Sequence, residues 1–104
     1  METPFIARGE ARFATPLAAR YLAQLCKHFA HRLPVTLGET EGRIAFPSGL
    51  CVARAEGETL ILRVEAPDAD QCVQLQGVVE RHLARFAFRE WAAETAGLTW
   101  AVAA

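Results

Sequence analysis

Four strand patterns follow one another without an intervening helix, and this run constrains the fold more than any other feature of the sequence. Each is separated from the next by a turn that contains glycine. Such tight turns join antiparallel neighbours, whereas parallel strands need a long crossover. The run therefore predicts an antiparallel sheet, with strands over residues 34–39, 43–47, 50–56 and 59–66.

A strand and a helix are predicted before this run. Residues 10–14 alternate between polar and apolar, which is typical of a half-buried strand. A helix is predicted over 16–32, because Thr15 is a good N-cap and Pro34 cannot continue a helix. This helix can cover one face of the sheet.

A second helix and a last strand are predicted after the run. Asp68 with Gln71 three residues later resembles a capping box, and the helical pattern continues to about Phe88. Gly77 lies inside this helix, where glycine is unfavourable, so we expect it to mark a close approach to the sheet. Residues 98–102 form the last predicted strand.

The resulting order is β-α-β-β-β-β-α-β. Consecutive strands flanked by helices predict an α+β fold, a two-layer sandwich with a mostly antiparallel sheet and two helices on one face. The 104 residues, 52% of them hydrophobic, suit a single domain over 1–104 with an ordered core from about residue 8 to about residue 103. We see no linker or repeat.

Charge and hydropathy narrow the classes of partner. The net charge is −1 and the basic residues are spread from Arg8 to Arg89, so nucleic acid is not an expected partner. No stretch approaches the length of uninterrupted apolar sequence that a membrane span requires, and the N-terminus lacks the pattern of a signal peptide. We therefore expect a cytoplasmic protein without a membrane partner.

The three cysteines favour structural over chemical roles. Cys26, Cys51 and Cys72 are an odd number at wide spacings, which predicts free thiols. Strand and helix periodicity points Cys51 and Cys72 inward, which leaves Cys26, at the margin of the first helix's buried face, as the one candidate reactive thiol. No catalytic residue is predicted, because the common nucleophile and phosphate-binding motifs are absent from the sequence.

The segment "LCKHFAHR" gives the first helix a basic outer face. At about 100° per residue, Cys26 lies roughly 160° from His28, so the two cannot bind one metal ion. The side opposite the core carries what we call the basic stripe, which is either solvated or a binding site for an anion or a partner. It consists of Arg20, Gln24, Lys27 and His31.

The three histidines are the candidate metal ligands. His28 and His31 are three residues apart on one helix, a spacing that metal sites use when other helices complete the shell. His82 lies at the edge of the second helix's buried face, where it faces His28 across a groove between the helices. The alternatives are a solvated pair and a histidine hydrogen-bonded at the edge of the core. No other cofactor is predicted.

Three aromatic residues follow closely at the end of the second helix. Phe86, Phe88 and Trp91, with Arg89 beside them, either close the open end of the sandwich or project as an anchor for a partner.

Several blocks resemble the bacterial family known as domain of unknown function 2218. They are "ARYLAQLCKHFAHR", "GRIAFPSGLC", "LILRVEAPD", "LQGVVERHLARFAFRE" and the final "LTW", and the likeness spans about residues 8–100. The resemblance identifies no activity and no catalytic residue. It implies a context, because similar domains occur beside or fused to flavin-dependent siderophore-interacting proteins, which suggests an accessory role in iron uptake.

Two functions are therefore expected. In the first, a binding or accessory module docks on a protein such as a siderophore-interacting reductase through the basic stripe and the aromatic end. In the second, a metal or small ligand is held in the groove by His28 and His82, as in a ligand-binding protein or a small enzyme. A homodimer is compatible with both, because an exposed sheet face or edge is readily paired.

Overall fold

A computed structural model describes residues 6–87 and 98–102, and it confirms the predicted fold class and element order. The elements in chain order are β1 (Ala7–Ala14), α1 (Ala18–Ala30), β2 (Val35–Leu37), β3 (Glu41–Phe46), β4 (Gly49–Glu56), β5 (Thr59–Ala66), α2 (Ala69–Phe86) and β6 (Ala101–Val102). Neither helix in these ranges is long and apolar enough to cross a membrane.

The strands form one antiparallel sheet in the order β2-β3-β4-β5-β1-β6. Three tight hairpins connect β2 to β5, as the glycine-containing turns predict. At the hairpin between β4 and β5, Gly57 adopts a φ of 58°, which suits glycine better than any residue with a side chain. β1 pairs with β5 along its whole length and therefore separates β5 from the short edge strand β6.

Both helices pack on the same face of this sheet. Side chains from α1, α2 and the inner face of the strands share one buried cluster, which includes Leu25, Leu62 and Val79. α1 approaches β3 so closely that a Cβ on Gly42 would overlap the sulfur of Cys26. A glycine is needed there because any side chain would push the helix away from the sheet.

The other face of the sheet is covered by charged side chains. Arginine and glutamate alternate with the inward-facing residues, and neighbouring charges form ion pairs, with 3.2 Å between Arg8 Nε and Glu65 Oε2. Further pairs join Arg12 to Glu10, Arg43 to Glu41 and Arg54 to Glu56. The predicted homodimer would form by pairing of this face or of a sheet edge, and it stays a prediction.

The two helices begin differently from each other. Asp68 caps α2 as predicted, because its Oδ1 accepts a hydrogen bond of 2.8 Å from the backbone N–H of Gln71. α1 begins at Ala18 rather than at residue 16, because the hydroxyl of Thr15 accepts its bond from the N–H of Leu17 and forms a tight turn before the helix.

Two predictions about the second half of the chain are wrong. Gly77 does not approach the sheet, since a Cβ there would meet only the guanidinium group of Arg81. The last strand covers Ala101–Val102 rather than 98–102, and Val102 is 95% exposed. Before that strand, the side chain of Trp100 donates a hydrogen bond to Glu80 on α2.

Candidate functional site

A groove of about 480 Å³ opens where α1 ends beside α2. We call it the histidine groove, and its lining comes from the last turn of α1, the turn that follows, the end of β3 and the last two turns of α2. The lining residues are His28, Phe29, His31, Arg32, Leu33, Phe46 and His82. The volume lies within the range of small-molecule sites, about 300–1,000 Å³.

The structure brings His28 and His82 together, as the helical patterns predict. Their ring centroids are 4.9 Å apart with an angle of 45° between the planes. His28 is exposed, while His82 is half-buried between α1 and α2. Phe29 lies beside both rings, at 5.1 Å from His28 and 4.8 Å from His82. The two imidazoles thus stand next to each other on an aromatic wall.

A hydrogen bond within α2 fixes the orientation of His82. Its Nδ1 lies 2.7 Å from the carbonyl oxygen of Val78, one helical turn earlier. Because a carbonyl can only accept, Nδ1 must carry the proton, and in the neutral ring Nε2 keeps its lone pair. Histidines that bind ligands or metals are commonly oriented in this way, by a bond from the other ring nitrogen.

The surroundings of His28 disfavour its protonation. Desolvation lowers the pKa of His28 below its ordinary value, and the positive charges of His82, Arg85 and His31 lower it further. His28 is therefore a neutral imidazole at neutral pH in the absence of a ligand. Arg85 carries its charge throughout this pH range, so this end of the two helices is electropositive.

The floor of the groove is apolar. Phe29 and Phe46 meet edge to face with ring centroids 5.0 Å apart, and Leu33 packs against the core beside them. Phe86 extends the aromatic surface, with its ring centroid 5.8 Å from that of His28. This arrangement offers a flat hydrophobic surface next to several nitrogen donors.

The groove does not assemble a complete metal site from the described residues. His31 lines the same groove as His28 and His82, but no three histidine, cysteine, aspartate or glutamate side chains within 6–87 and 98–102 are grouped to hold an ion. Zinc sites in proteins use at least three protein ligands. His28 and His82 alone supply two.

The basic stripe is exposed at three of its four positions. Arg20, Lys27 and His31 face solvent, whereas Gln24 is half-buried and its Oε1 is buried without a hydrogen-bond partner among the described residues. Gln24 departs from the prediction because the helical wheel places residues around one axis and does not show where the rest of the fold packs against the helix. At the aromatic end, Phe88, Arg89 and Trp91 lie outside the described residues.

The three cysteines are unsuited to nucleophilic chemistry. Cys26, Cys51 and Cys72 are free, as predicted, and all three are buried, including Cys26, the candidate reactive thiol. Burial raises the pKa of all three thiols, that of Cys51 to about 12. They therefore remain protonated at neutral pH, and a protonated thiol is a poor nucleophile. Cys26 is covered by the close approach of α1 to Gly42.

Two groove residues were missed by the sequence reasoning. Arg32 follows His31 directly, and its charge beside two histidines is the signal that could have identified it as a groove residue. Phe46 carries no local signal, because only the sheet register brings the end of β3 next to α1.

Comparison with known proteins identifies a solved structure that has a similar fold. The chain is similar to PA4090 from Pseudomonas aeruginosa, a solved NMR structure, with 30% identity, a TM-score of 0.74, and coverage of 91% of this chain and 95% of that one. A comparison with curated proteins gave no match. The family model described as an uncharacterized protein conserved in bacteria, DUF2218, matches residues 10–100. The chain therefore belongs to the DUF2218 family.

Proposed function

We propose that the protein is a binding module and that the histidine groove is its site for a small ligand. The observation that carries the proposal is the meeting of His28 and His82, 4.9 Å apart, on the wall of an open groove of about 480 Å³. Apolar grooves with a few convergent polar groups are the usual form of small-molecule sites.

The histidine pair is better explained by a ligand than by stability. The neighbouring His82 disfavours protonation of His28, and the hydrogen bond of His82 stays within its own helix. Hydrophobic residues at both positions would pack against Phe29 without this cost. Such locally unfavourable polar groups are expected where function requires them.

The test is a ¹H–¹⁵N NMR titration of the full chain with 2-naphthalenesulfonate, 2-naphthalenesulfonamide and zinc chloride in separate experiments. Binding of any of the three at the groove should shift the amide signals of Phe29, Leu33 and His82 together and leave those of β1 unchanged. The variant Phe46→Ala should weaken binding of the naphthalene probes, because it removes part of the apolar floor. Shifts spread over the sheet, or none with any probe, would refute the proposal.

A second candidate is docking on a siderophore-interacting flavoprotein through the basic stripe. Its support is that Arg20, Lys27 and His31 are exposed and form no ion pair within the described ranges, and that α1 contains no acidic residue. Similar domains occurring beside such reductases suggest the partner. The wild-type chain should bind a purified reductase of this class, and the Lys27→Glu variant should lose this binding. The control variant Arg54→Glu, on the far face of the sheet, should retain it. Equal binding by both variants would refute docking at the basic stripe.

A further inference from the structure

The rim of the histidine groove carries only positive or neutral polar groups. His28, His31 and Arg32 line the opening, and Arg85 is close enough to affect the protonation of His28. No carboxylate lies among the lining residues in the described part of the chain. On the open face of the sheet, by contrast, four arginines are paired with glutamates. The charge at the groove is not balanced in this way by a lining carboxylate within the described residues.

The ends of the two helices oppose this charge only in part. α1 and α2 both end near the groove, and a helix C-terminus contributes partial negative charge. The last turns carry Lys27 and His28 on α1 and Arg85 on α2, the expected complement to these ends. Arg32 lies beyond the end of α1 and adds a full positive charge that this complement does not require. The balance favours a negatively charged group over a metal cation.

The floor of the groove sets the rest of the ligand. The edge-to-face pair of Phe29 and Phe46 presents apolar surface, and Leu33 borders it. An inorganic anion would gain nothing from this surface, whereas an aromatic or acyl body would bury it.

Resting on the proposed function of the groove, we propose that its ligand is an amphipathic organic anion, with its apolar body on Phe29 and Phe46 and its charged group at His28 and Arg32. The anion would accept hydrogen bonds from the guanidinium group of Arg32 and from the imidazole of His28 in its protonated form. The other ionisable groups that face His28 are His31, His82 and Arg85, and of these Arg85 contributes a permanent positive field.

Binding and protonation should be linked. An anion stabilises the protonated imidazole, so the complex takes up a proton and the affinity rises as the pH falls from 7.5 towards 5.5. A sulfonate is the appropriate probe, because it stays ionised throughout this range and any change reports the protein. The sulfonamide of the same size is neutral and serves as its matched control.

The experiment measures Kd for 2-naphthalenesulfonate and 2-naphthalenesulfonamide by calorimetry at pH 5.5, 6.5 and 7.5. Wild-type protein should bind the sulfonate more tightly than the sulfonamide, by about fivefold for each exposed charge pair that the sulfonate forms with the protein. Arg32→Gln should remove about fivefold from the sulfonate affinity and leave the sulfonamide unchanged. Arg54→Gln, the same substitution on the open face of the sheet, should change neither. His28→Gln should remove most of the pH dependence.

The outcomes separate this inference from the proposed function. Equal affinity for both naphthalene probes would overturn the anion and leave the groove as a binding site. Absence of binding by either probe, together with a joint response of His28 and His82 to zinc, would overturn the anion in favour of a metal. Absence of any binding would overturn both the anion and the groove's function.

Discussion

Glu80 and His82 are two half-buried polar residues on α2, and they differ in how their hydrogen-bonding capacity is used. The carboxylate of Glu80 accepts from Trp100 Nε1 at 2.9 Å and from the backbone N–H of Leu98 at 3.3 Å. Among residues 6–87 and 98–102, His82 makes one hydrogen bond, to Val78 in its own helix, and otherwise meets the rings of His28 and Phe29. Because they are two residues apart, they point to nearly opposite sides of the helix.

The difference separates a structural polar group from one available to a ligand. Glu80 joins α2 to the segment before β6, and both of its oxygens are used by protein donors. His82 has its Nδ1 committed and its Nε2 lone pair kept, beside an open groove. A polar side chain with complete protein partners contributes to stability, whereas one with remaining capacity in a groove is suited to recognition.

The largest expected effect is on the structural side of this comparison. Glu80→Ala should lower the free energy of unfolding by about 2–3 kcal/mol, because two donors lose a charged acceptor and Trp100 loses its anchor. Urea unfolding followed by tryptophan fluorescence measures it. Arg81→Ala, an exposed neighbour, is the control and should change the free energy by less than about 0.5 kcal/mol. Equal effects of the two would remove the distinction between Glu80 and a surface residue.

At the histidine groove we expect a substitution to weaken ligand binding and to change the free energy of unfolding little. His82→Leu should weaken binding of 2-naphthalenesulfonate, by about fivefold, because the groove loses the polar ring beside His28. Its free energy of unfolding should change by less than about 1.5 kcal/mol, since leucine packs against Phe29 and the carbonyl of Val78 keeps its helical bond. The two values come from calorimetry and urea unfolding on one preparation. A large loss of stability with binding intact would make His82 structural, like Glu80.

The smallest expected effect is a pH dependence of stability. The pKa of His28 is lower in the folded chain than its ordinary 6.5, so the unfolded chain binds this proton more readily. Stability should therefore fall as the pH drops through 6.5 towards the lowered pKa, by less than about 0.5 kcal/mol because solvent screens an exposed ring. Urea midpoints at pH 5.5 and 7.5 should differ less in His28→Gln than in wild type. A larger difference in the variant would reverse the sign assigned to His28.

The sequence predicts this molecule well where a single element decides the outcome. Periodicity alone places Leu22 and Leu25 in the core, and the local chemistry of Asp68 and Gln71 identifies the start of α2. The approach of His28 to His82 was also predictable, because each lies at the edge of its own helix's buried face.

Features that depend on two distant elements were not predictable. Phe46 reaches the groove through the register of β3, and Gln24 is half-buried by its tertiary surroundings. Cys26 is fully covered because Gly42 allows α1 to approach β3, a contact that neither residue signals alone. The close approach to a neighbouring element that we expect at Gly77 is found at Gly42. The sequence does not distinguish the two positions, because it shows a glycine at each and not which element packs against it.

The most direct test of the central claim is the pKa of the His28 imidazole, measured by NMR with and without saturating 2-naphthalenesulfonate. An anion bound at the rim of the histidine groove should raise this pKa, while the neutral sulfonamide should leave it unchanged. Arg54→Gln should show the same rise as wild type, and Arg32→Gln a smaller one. A His28 pKa that is unaffected or lowered by the sulfonate would contradict the account.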